Sequence, residues 1–411
     1  MKIKVYDIET LMVMFYYLDY DPVTKEYVEF EISENRNDLF KLVKYLNDLK
    51  SEGYYMVGYN NVQYDFNVLQ HIYDNHVTLS EMSNLDIAKY ISEYSSLNIK
   101  TTNSGGFPQY AEHEFLVDQI DLLKINHFDN ENRRTSLKWL QYMMCWPLVE
   151  GMPVDFNSLT LNEADLEKVR KYCKNDVMST HEFYLYTIGE VEHEFYKGNN
   201  QILNRMTIIK EGLLPKSAMN YADSKIGDEL NKIAYAKSKG IDVFEIYSIR
   251  KKRKPTKKFT FGDAIPDYVT FKTPEFNAFF NMVKKERVRL LDDEQEYVFT
   301  YKGTTYVIAK GGIHSENISE IIIPKEDEYL DDSDVGAQYP NAIDKRGLYP
   351  SHLGPEWCGV MRNTIFEKDE YKQIGKGVSD PLEKLKWKGL ETMKKLQMNG
   401  GGLKNKNVDL L

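Results

Sequence analysis

The first nine residues, Met1-Lys2-Ile3-Lys4-Val5-Tyr6-Asp7-Ile8-Glu9, predict a β-strand that ends in two acids. Side chains alternate between the two faces of a strand, so Ile3, Val5, Asp7 and Glu9 share one face. Two carboxylates on one face can bind a cation together. The strand therefore predicts a buried sheet face whose end carries a metal site.

Alternating and helical patterns after this strand predict an α/β domain with a mixed sheet. The order is βββαβ, with a three-stranded antiparallel start. Asp118 and Asp121 on the last predicted strand are interpreted as structural residues. The predicted elements are strands at Met12–Tyr20 and Tyr27–Ile32, a helix from Leu39 that ends at Gly53, and strands at Tyr55–Val57 and Phe115–Leu123.

Two further acidic motifs follow in the first half of the chain. Asn60-Asn61-Val62-Gln63-Tyr64-Asp65 lies between an apolar run and Phe66-Asn67-Val68-Leu69, which predicts Asp65 where a strand passes into a helix. In Tyr172-Cys173-Lys174-Asn175-Asp176 the tyrosine and the aspartate are four residues apart in a segment of helical periodicity. They share one helix face, so the hydroxyl and the carboxylate point together.

Four carboxylates and a tyrosine from three elements are the groups that two-metal phosphodiester hydrolysis needs. This reaction uses two divalent ions about 3.5–4 Å apart, one to activate water and one to stabilise the leaving oxygen. Hard cations of this kind prefer carboxylate oxygens. Each motif alone is typical of ordinary surface charge, but the three in this order indicate a 3′→5′ exonuclease.

The three motifs resemble those of the DEDD exonucleases, specifically the proofreading domain of family B DNA polymerases, over residues 1–190. The resemblance implies a ribonuclease H-like fold and a two-metal site for Mg²⁺ or Mn²⁺. By that resemblance the metal ligands are Asp7, Glu9, Asp65 and Asp176, and Tyr172 orients the attacking water.

The same resemblance implies residues that contact DNA. Thr10 would lie near the primer 3′ end, and Tyr64 occupies the aromatic position of the second motif. Either Asn60 or Asn61 could match the family asparagine, depending on its spacing to the aspartate, and we slightly favour Asn61.

The net charge of −10 is opposite in sign to what phosphate binding requires, but its distribution is uneven. Seven of the nine residues from 250 to 258 are basic. This run, with Arg250, Lys251, Lys252 and Arg253 at its start, is the candidate contact with duplex DNA. The alternative is a solvated loop or hairpin tip.

Three widely separated cysteines, Cys145, Cys173 and Cys358, indicate neither a disulfide framework nor a zinc site. The N-terminus starts directly with a strand, and no stretch approaches the roughly 20 apolar residues of a membrane span. We expect a cytoplasmic protein without a membrane partner, in the host cytoplasm if the source is a phage.

The second half predicts a helical connecting region over residues 191–295, with an amphipathic segment at Lys216–Lys239. An α+β region follows over residues 296–411 and starts with a hairpin at residues 297–309. Gly311 and Gly312 come next, and paired glycines permit close approach to a nucleic-acid backbone.

Residues 296–411 resemble a partial palm and fingers of family B polymerases. Asp334-Val335-Gly336-Ala337-Gln338-Tyr339-Pro340 resembles motif A, which implies that Asp334 binds metal and nucleotide and that Tyr339 packs under the incoming sugar. A helix predicted from Asp380 carries Lys395 and Asn399, which resemble the nucleotide-binding start of motif B. The family serine of motif A and the second aspartate of motif C have no counterpart.

These resemblances predict the N-terminal part of a phage-type family B DNA polymerase involved in DNA replication, with proofreading hydrolase activity and an incomplete nucleotidyltransferase site. The expected partners are a DNA primer-template and single-stranded 3′ ends. A dNTP and a separate C-terminal polymerase chain would complete synthesis. The alternatives are a freestanding exonuclease or editing subunit with a DNA-binding second half, and a non-catalytic fragment that binds primer-template.

Overall fold

The computed structural model describes residues 1–130, 134–191, 200–252, 259–265, 267–289, 295–309, 312–316, 321, 323–331, 333 and 336–400. These residues form two compact units. The first unit combines Met1–Leu230 with Glu367–Gly400, and the second unit is Asn231–Phe366. The second unit is therefore inserted in the sequence of the first.

The strands and helices are numbered in chain order. The strands are β1 Lys2–Leu11, β2 Met14–Tyr20, β3 Tyr27–Ser33, β4 Arg36–Asn37, β5 Tyr54–Gly58, β6 Asp118–Asp121, β7 Glu296–Tyr301, β8 Thr304–Ala309 and β9 Gly312–Glu316. The helices are α1 Leu39–Glu52, α2 Asp65–Leu79, α3 Asn84–Asn103, α4 Leu122–Ile125, α5 Leu137–Met143, α6 Glu163–Thr187, α7 Gln201–Lys210, α8 Asp223–Lys239, α9 Glu245–Arg250, α10 Phe261–Ala264, α11 Pro274–Val283, α12 Gln338–Arg346, α13 Glu356–Gly377 and α14 Pro381–Gly400.

The first unit is built on a six-stranded mixed sheet in the order β4-β3-β2-β1-β5-β6. β1 pairs antiparallel with β2, and β2 with β3, which confirms the predicted antiparallel start. β5 runs parallel to β1, and β6 runs parallel to β5. Pairing between β1 and β5 stops at Val5 with Val57, so Asp7 and Glu9 extend beyond the end of β5.

Helices cover both faces of this sheet, and β1 contributes to both cores. Val5 and Leu11 pack with Val169 and Val177 of α6 on one face. Ile8 faces the opposite core, where α1, α2 and α3 supply leucines, isoleucines and Phe66. β1 is therefore buried on both sides, as parallel-sheet strands usually are.

Of two further elements predicted in this unit, the end of one helix is confirmed and the length of one strand is wrong. The helix predicted to end at Gly53 does so, because Gly53 adopts φ 71° and its N–H closes the last turn of α1. The strand predicted over Phe115–Leu123 is wrong in length, since β6 covers only Asp118–Asp121. The Asp121 side chain accepts the Leu123 N–H at 3.0 Å and starts α4 instead.

The predicted helix over Lys216–Lys239 is wrong at its start. Residues Lys216–Asn220 form a 3₁₀ segment, and α8 begins only at Asp223. Asn220 accepts the Asp121 N–H at 2.7 Å and donates to the Gln119 carbonyl at 2.9 Å. This side chain hydrogen-bonds the outer edge of β6 as a neighbouring strand would, and that tertiary contact outweighs local helix preference.

The second unit contains a three-stranded antiparallel sheet, β7-β8-β9. The predicted hairpin is confirmed, and its turn places Lys302 and Gly303 at φ 49° and 83°, the left-handed pair of a type I′ turn. Sequence patterns did not predict β9, whose residues are all exposed. Phe261, Phe280 and Ile308 form a core of α10, α11 and β8.

The last helix, α14, packs against α7 and α8 in the first unit. Asp380 accepts the backbone N–H groups of Leu382 and Glu383 at 3.3 Å each, which confirms the predicted N-cap. A Cβ added to Gly227 of α8 would lie 2.2 Å from the Leu396 carbonyl oxygen. The two helix backbones approach this closely only because position 227 has no side chain.

We expect Gly227→Ala to lower the free energy of unfolding by about 1–3 kcal/mol, because the added methyl group meets backbone that cannot rotate away. Urea denaturation followed by circular dichroism measures the change. Gly377→Ala is the matched control, since nothing lies within 4 Å of a Cβ at that helical position. Equal stability of the two variants would contradict the close helix contact.

No helix among the described residues is long and apolar enough to cross a membrane.

Candidate active site

Three of the predicted ligands, Asp7, Glu9 and Asp65, meet where β1 extends past β5. Glu9 and Asp65 are buried, and Asp7 is partly exposed. The Asp65 carboxyl lies close enough to that of Asp7 for its charge to raise the pKa of Asp7. Asp7 and Glu9 project from the same face of β1, as the strand pattern predicts.

The turn between β5 and α2 places Asp65, and Asp121 at the end of β6 holds this turn. The Asp121 carboxylate accepts the Asn60 N–H at 3.0 Å and the Val62 N–H at 3.3 Å. Asn60 adopts φ 69°, a left-handed conformation that asparagine tolerates better than most residues. Asp121 is fully buried and acts as a structural residue, as the sequence analysis proposed.

The two candidate asparagines occupy different environments. Asn61 is 0 % exposed, and its amide donates to Gln119 Oε1 at 2.8 Å. Asn60 is partly exposed. The structure therefore places Asn60 at the surface and Asn61, the slightly favoured match, in the core.

α6 brings Tyr172, Cys173 and Asp176 against β1. The Tyr172 hydroxyl lies near the carboxylates of Asp176 and Glu9. Tyr172 is buried, and its pKa is raised, mainly by burial and then by the charges of Asp176 and Glu9. The phenol therefore stays protonated at neutral pH.

Asp176 is held by two residues of α5 that the sequence analysis missed. Lys138 Nζ lies 2.6 and 2.8 Å from the two carboxylate oxygens, and Gln141 Nε2 donates to Oδ1 at 2.8 Å. The Lys138 ammonium also lies 4.1 Å from the centroid of the Tyr172 ring. Lys138 and Gln141 are three residues apart on one helix face, and this spacing was the only signal in the sequence.

An ion pair anchors α6 to the sheet close to the site. Arg170, two residues before Tyr172, donates from Nε and Nη2 to the two carboxylate oxygens of Glu31 at 2.9 and 3.1 Å. Glu31 lies on β3 and is buried. This bidentate contact fixes the position of the helix segment that carries Tyr172 and Asp176.

Thr10, the residue after Glu9, belongs to a cluster of three hydroxyls. Thr10 Oγ1 lies 2.9 Å from the Tyr64 hydroxyl and 2.9 Å from Ser95 Oγ, and Tyr64 and Ser95 are 2.7 Å apart. Ser95, on α3, was not predicted. The cluster lies beside the acids on β1 and offers hydrogen-bonding groups to a bound polar molecule.

Burial and, after it, charge repulsion raise the pKa values of the acids. Burial raises the pKa of Asp7 and Glu9 well above their usual range, and the neighbouring carboxylates raise it further. Burial likewise raises the pKa of Asp65 to about 7. Buried acids that repel one another in this way fit divalent cations, which carboxylate oxygens would hold.

We expect Asp65→Asn to stabilise the metal-free protein at neutral and higher pH. The folded-state pKa of Asp65 is about 7, whereas an unfolded chain has about 3.9. The contribution of Asp65 to stability is therefore fully present below about pH 4 and is lost as the pH rises through about 7. The gain at about pH 8 should be on the order of 3 kcal/mol.

Urea denaturation in EDTA over a series of pH values measures this gain. Asp48→Asn, which changes an exposed acid on α1, is the control and should leave the pH profile unchanged. An Asp65→Asn protein that is less stable than the wild type at about pH 8 would contradict the repulsion described above.

Residues predicted in the second half do not share a described cluster. Tyr339 lies on α12 of the second unit and is 50 % exposed, and Gly312 begins β9 with φ 136°. Lys395 and Asn399 lie exposed on α14 of the first unit, and Lys395 pairs with Glu391 at 2.9 Å.

The basic run is described only in part. Lys251 and Lys252 are exposed just after α9, which ends at Arg250. Asp334, Gly311 and Arg253 lie outside the described residues. Their predicted roles remain predictions.

No protein-family model matches the sequence, and no curated protein matches it. Among solved structures, the chain is similar to the family B DNA polymerase from the hyperthermophilic archaeon Pyrobaculum calidifontis, with a TM-score of 0.48 and 11% sequence identity. The similarity covers 97% of this chain and 46% of that polymerase. The chain thus spans about half the length of the polymerase that it matches.

Proposed function

We propose that this chain is a metal-dependent 3′→5′ DNA exonuclease of the editing type, built on a ribonuclease H-like domain. The observation that carries the proposal is the meeting of Asp7, Glu9 and Asp65 at the end of β1. Tyr172 and Asp176 on α6 lie against the same strand end. A site of this composition suits cleavage of a phosphodiester by water.

The donor set fits Mg²⁺ or Mn²⁺, held by Asp7, Glu9 and Asp65, with Asp176 as the fourth carboxylate. When bound, two such ions activate the attacking water and stabilise the leaving oxygen. Asp176 is the ligand that needs a rearrangement, because Lys138 contacts both of its oxygens. Lys138 holds the Asp176 side chain in place until a cation competes for it.

Tyr172 is the residue that orients the water. Its raised pKa keeps the hydroxyl protonated, and the phenol oxygen can accept a hydrogen bond from water beside the Asp176 carboxylate. The Lys138 ammonium over the ring restricts the side chain further. Tyr172 therefore acts by positioning rather than by taking the proton.

The hydroxyl cluster of Thr10, Tyr64 and Ser95 gives the 3′ end of a single strand a polar contact next to the acids. Asn60, at the surface of the turn that carries Asp65, is the better-placed asparagine for a DNA contact. The predicted DNA-binding roles of Gly312, Lys251 and Lys252 belong to the same proposal for a primer-template.

We extend the proposal to the whole chain as the N-terminal part of a replicative family B DNA polymerase. Asp334, Tyr339, Lys395 and Asn399 would contribute to a dNTP site that a separate polymerase chain completes. This part rests on the motif resemblance alone. The exonuclease proposal does not depend on it.

Incubation of the purified chain with Mg²⁺ and an end-labelled primer-template, with and without dNTPs, tests the proposal. We expect the primer to shorten from its 3′ end without extension. The Asp7→Ala/Glu9→Ala protein is the control and should leave the primer intact. A primer that stays uncut with the wild-type chain in both Mg²⁺ and Mn²⁺ would overturn the exonuclease assignment.

We expect Tyr172→Phe to slow hydrolysis by about 10²-fold, because loss of the hydroxyl removes one positioned contact to the attacking water. Affinity for a single-stranded oligonucleotide should stay near the wild-type value. Single-turnover cleavage and fluorescence anisotropy measure the two quantities. Tyr73→Phe, which removes an exposed hydroxyl that donates to Asn47 of α1, is the control and should leave both quantities unchanged.

A further inference from the structure

A thiol lies among the acids of the site. Cys173 Sγ and one carboxylate oxygen each from Asp7 and Glu9 are all within 4.8 Å of one another. Cys173 follows Tyr172 on α6 and is 0 % exposed. The sequence analysis found no zinc site, because the partners of Cys173 come from a strand more than 160 positions earlier in the chain.

Glu9 supplies a second observation that points to a ligand. Its side chain is only 8 % exposed, yet its carboxylate makes no hydrogen bond to the part of the chain that the structure describes. A buried carboxylate without hydrogen bonds is costly unless a cation or another partner compensates it. The Glu9 carboxylate, which the charge of Lys138 compensates only in part, therefore lies beside the Cys173 thiol in a position to take a cation.

Thiolate sulfur selects a different class of metal from carboxylate oxygen. Mg²⁺ and Mn²⁺ take oxygen ligands, and the Cys173 thiol would not bind either ion. Zn²⁺ and Cd²⁺ accept sulfur together with oxygen, and Zn²⁺ prefers a compact set of about four ligands. One thiolate, two carboxylates and a water complete such a set.

We propose that Cys173, Asp7 and Glu9 form a binding site for a thiophilic divalent cation of the Zn²⁺ class. As the metal–sulfur bond forms, the thiol proton passes to solvent. Asp7, which is partly exposed, provides the route for the ion from solvent.

Occupation of this site withdraws Asp7 and Glu9 from the ions that support hydrolysis. A thiophilic cation is therefore an inhibitor that competes with Mg²⁺. This inhibition rests on the proposed function, whereas the binding of the cation does not.

The ordinary alternative is a core cysteine. Cys173 packs in the same cluster as Val5, Val169 and Val177, and a buried cysteine can serve as a small apolar side chain. That role accounts for its burial. It does not account for the position of the sulfur, which lies within 4.8 Å of a carboxylate oxygen of both Asp7 and Glu9.

Titration of the full chain with Cd²⁺, followed by the near-ultraviolet sulfur-to-cadmium charge-transfer absorption, tests the binding. We expect a band that saturates at one equivalent and is lost in Cys173→Ser. The chain has only two other cysteines, Cys145 and Cys358. The Cys145→Ser/Cys358→Ser protein keeps Cys173 as its sole thiol and should retain the full band.

The Cys145→Ser/Cys358→Ser protein tests the proposed metal site even if the Cys173→Ser protein does not fold. Absence of the band in this single-thiol protein would overturn the proposal. So would a band that Glu9→Gln leaves unchanged in strength and saturation, since the cation would then not use Glu9.

Primer cleavage in Mg²⁺ with added Zn²⁺ tests the inhibition separately. We expect inhibition that rising Mg²⁺ relieves in the wild type and that is lost in Cys173→Ser. Uncut primer without Zn²⁺ together with an intact cadmium band would refute the exonuclease and leave the metal site standing. Cleavage of the primer without a cadmium band would refute the metal site and leave the exonuclease proposal standing.

Discussion

The carboxylates of Asp7, Glu9 and Asp65 share a small volume at the end of β1, and their burial together with their mutual repulsion is the constraint on which the first unit depends. Like charges out of water raise one another's proton affinity and favour any rearrangement that separates them. The surrounding structure therefore has to hold them together against an unfavourable interaction. The raised pKa of each of the three carboxyl groups is the sign of this crowding.

Three contacts in the neighbouring elements hold the acids together against this unfavourable interaction. Asp121 holds the turn before Asp65 through two backbone N–H groups. Glu31 and Arg170 join β3 to α6, and Lys138 compensates Asp176 from α5. Each contact acts on a different element, so no single loop can relax and separate the acids. A site held in this way is preorganised for cations rather than shaped by them.

The parts of this arrangement that follow local patterns could be predicted from the sequence. Alternation placed Asp7 and Glu9 on one face of β1, and helical spacing placed Tyr172 with Asp176. The supporting residues could not be found in that way. Lys138, Gln141, Ser95 and Asp121 act across 31 to 85 sequence positions, and only the folded chain brings them to their partners. The helix predicted from Lys216 was wrong at its start for the same reason, because Asn220 bonds to β6, a strand about 100 positions earlier in the chain.

The return of α14 to the first unit has a consequence for synthesis on the ribosome. Residues 231–366 emerge between the two parts of the first unit, and α14 is among its last residues to appear. Until then, the face of α7 and α8 around Gly227 has no helix to cover it. The first part of this unit therefore cannot complete the packing of α7 and α8 until the whole inserted unit has been synthesised.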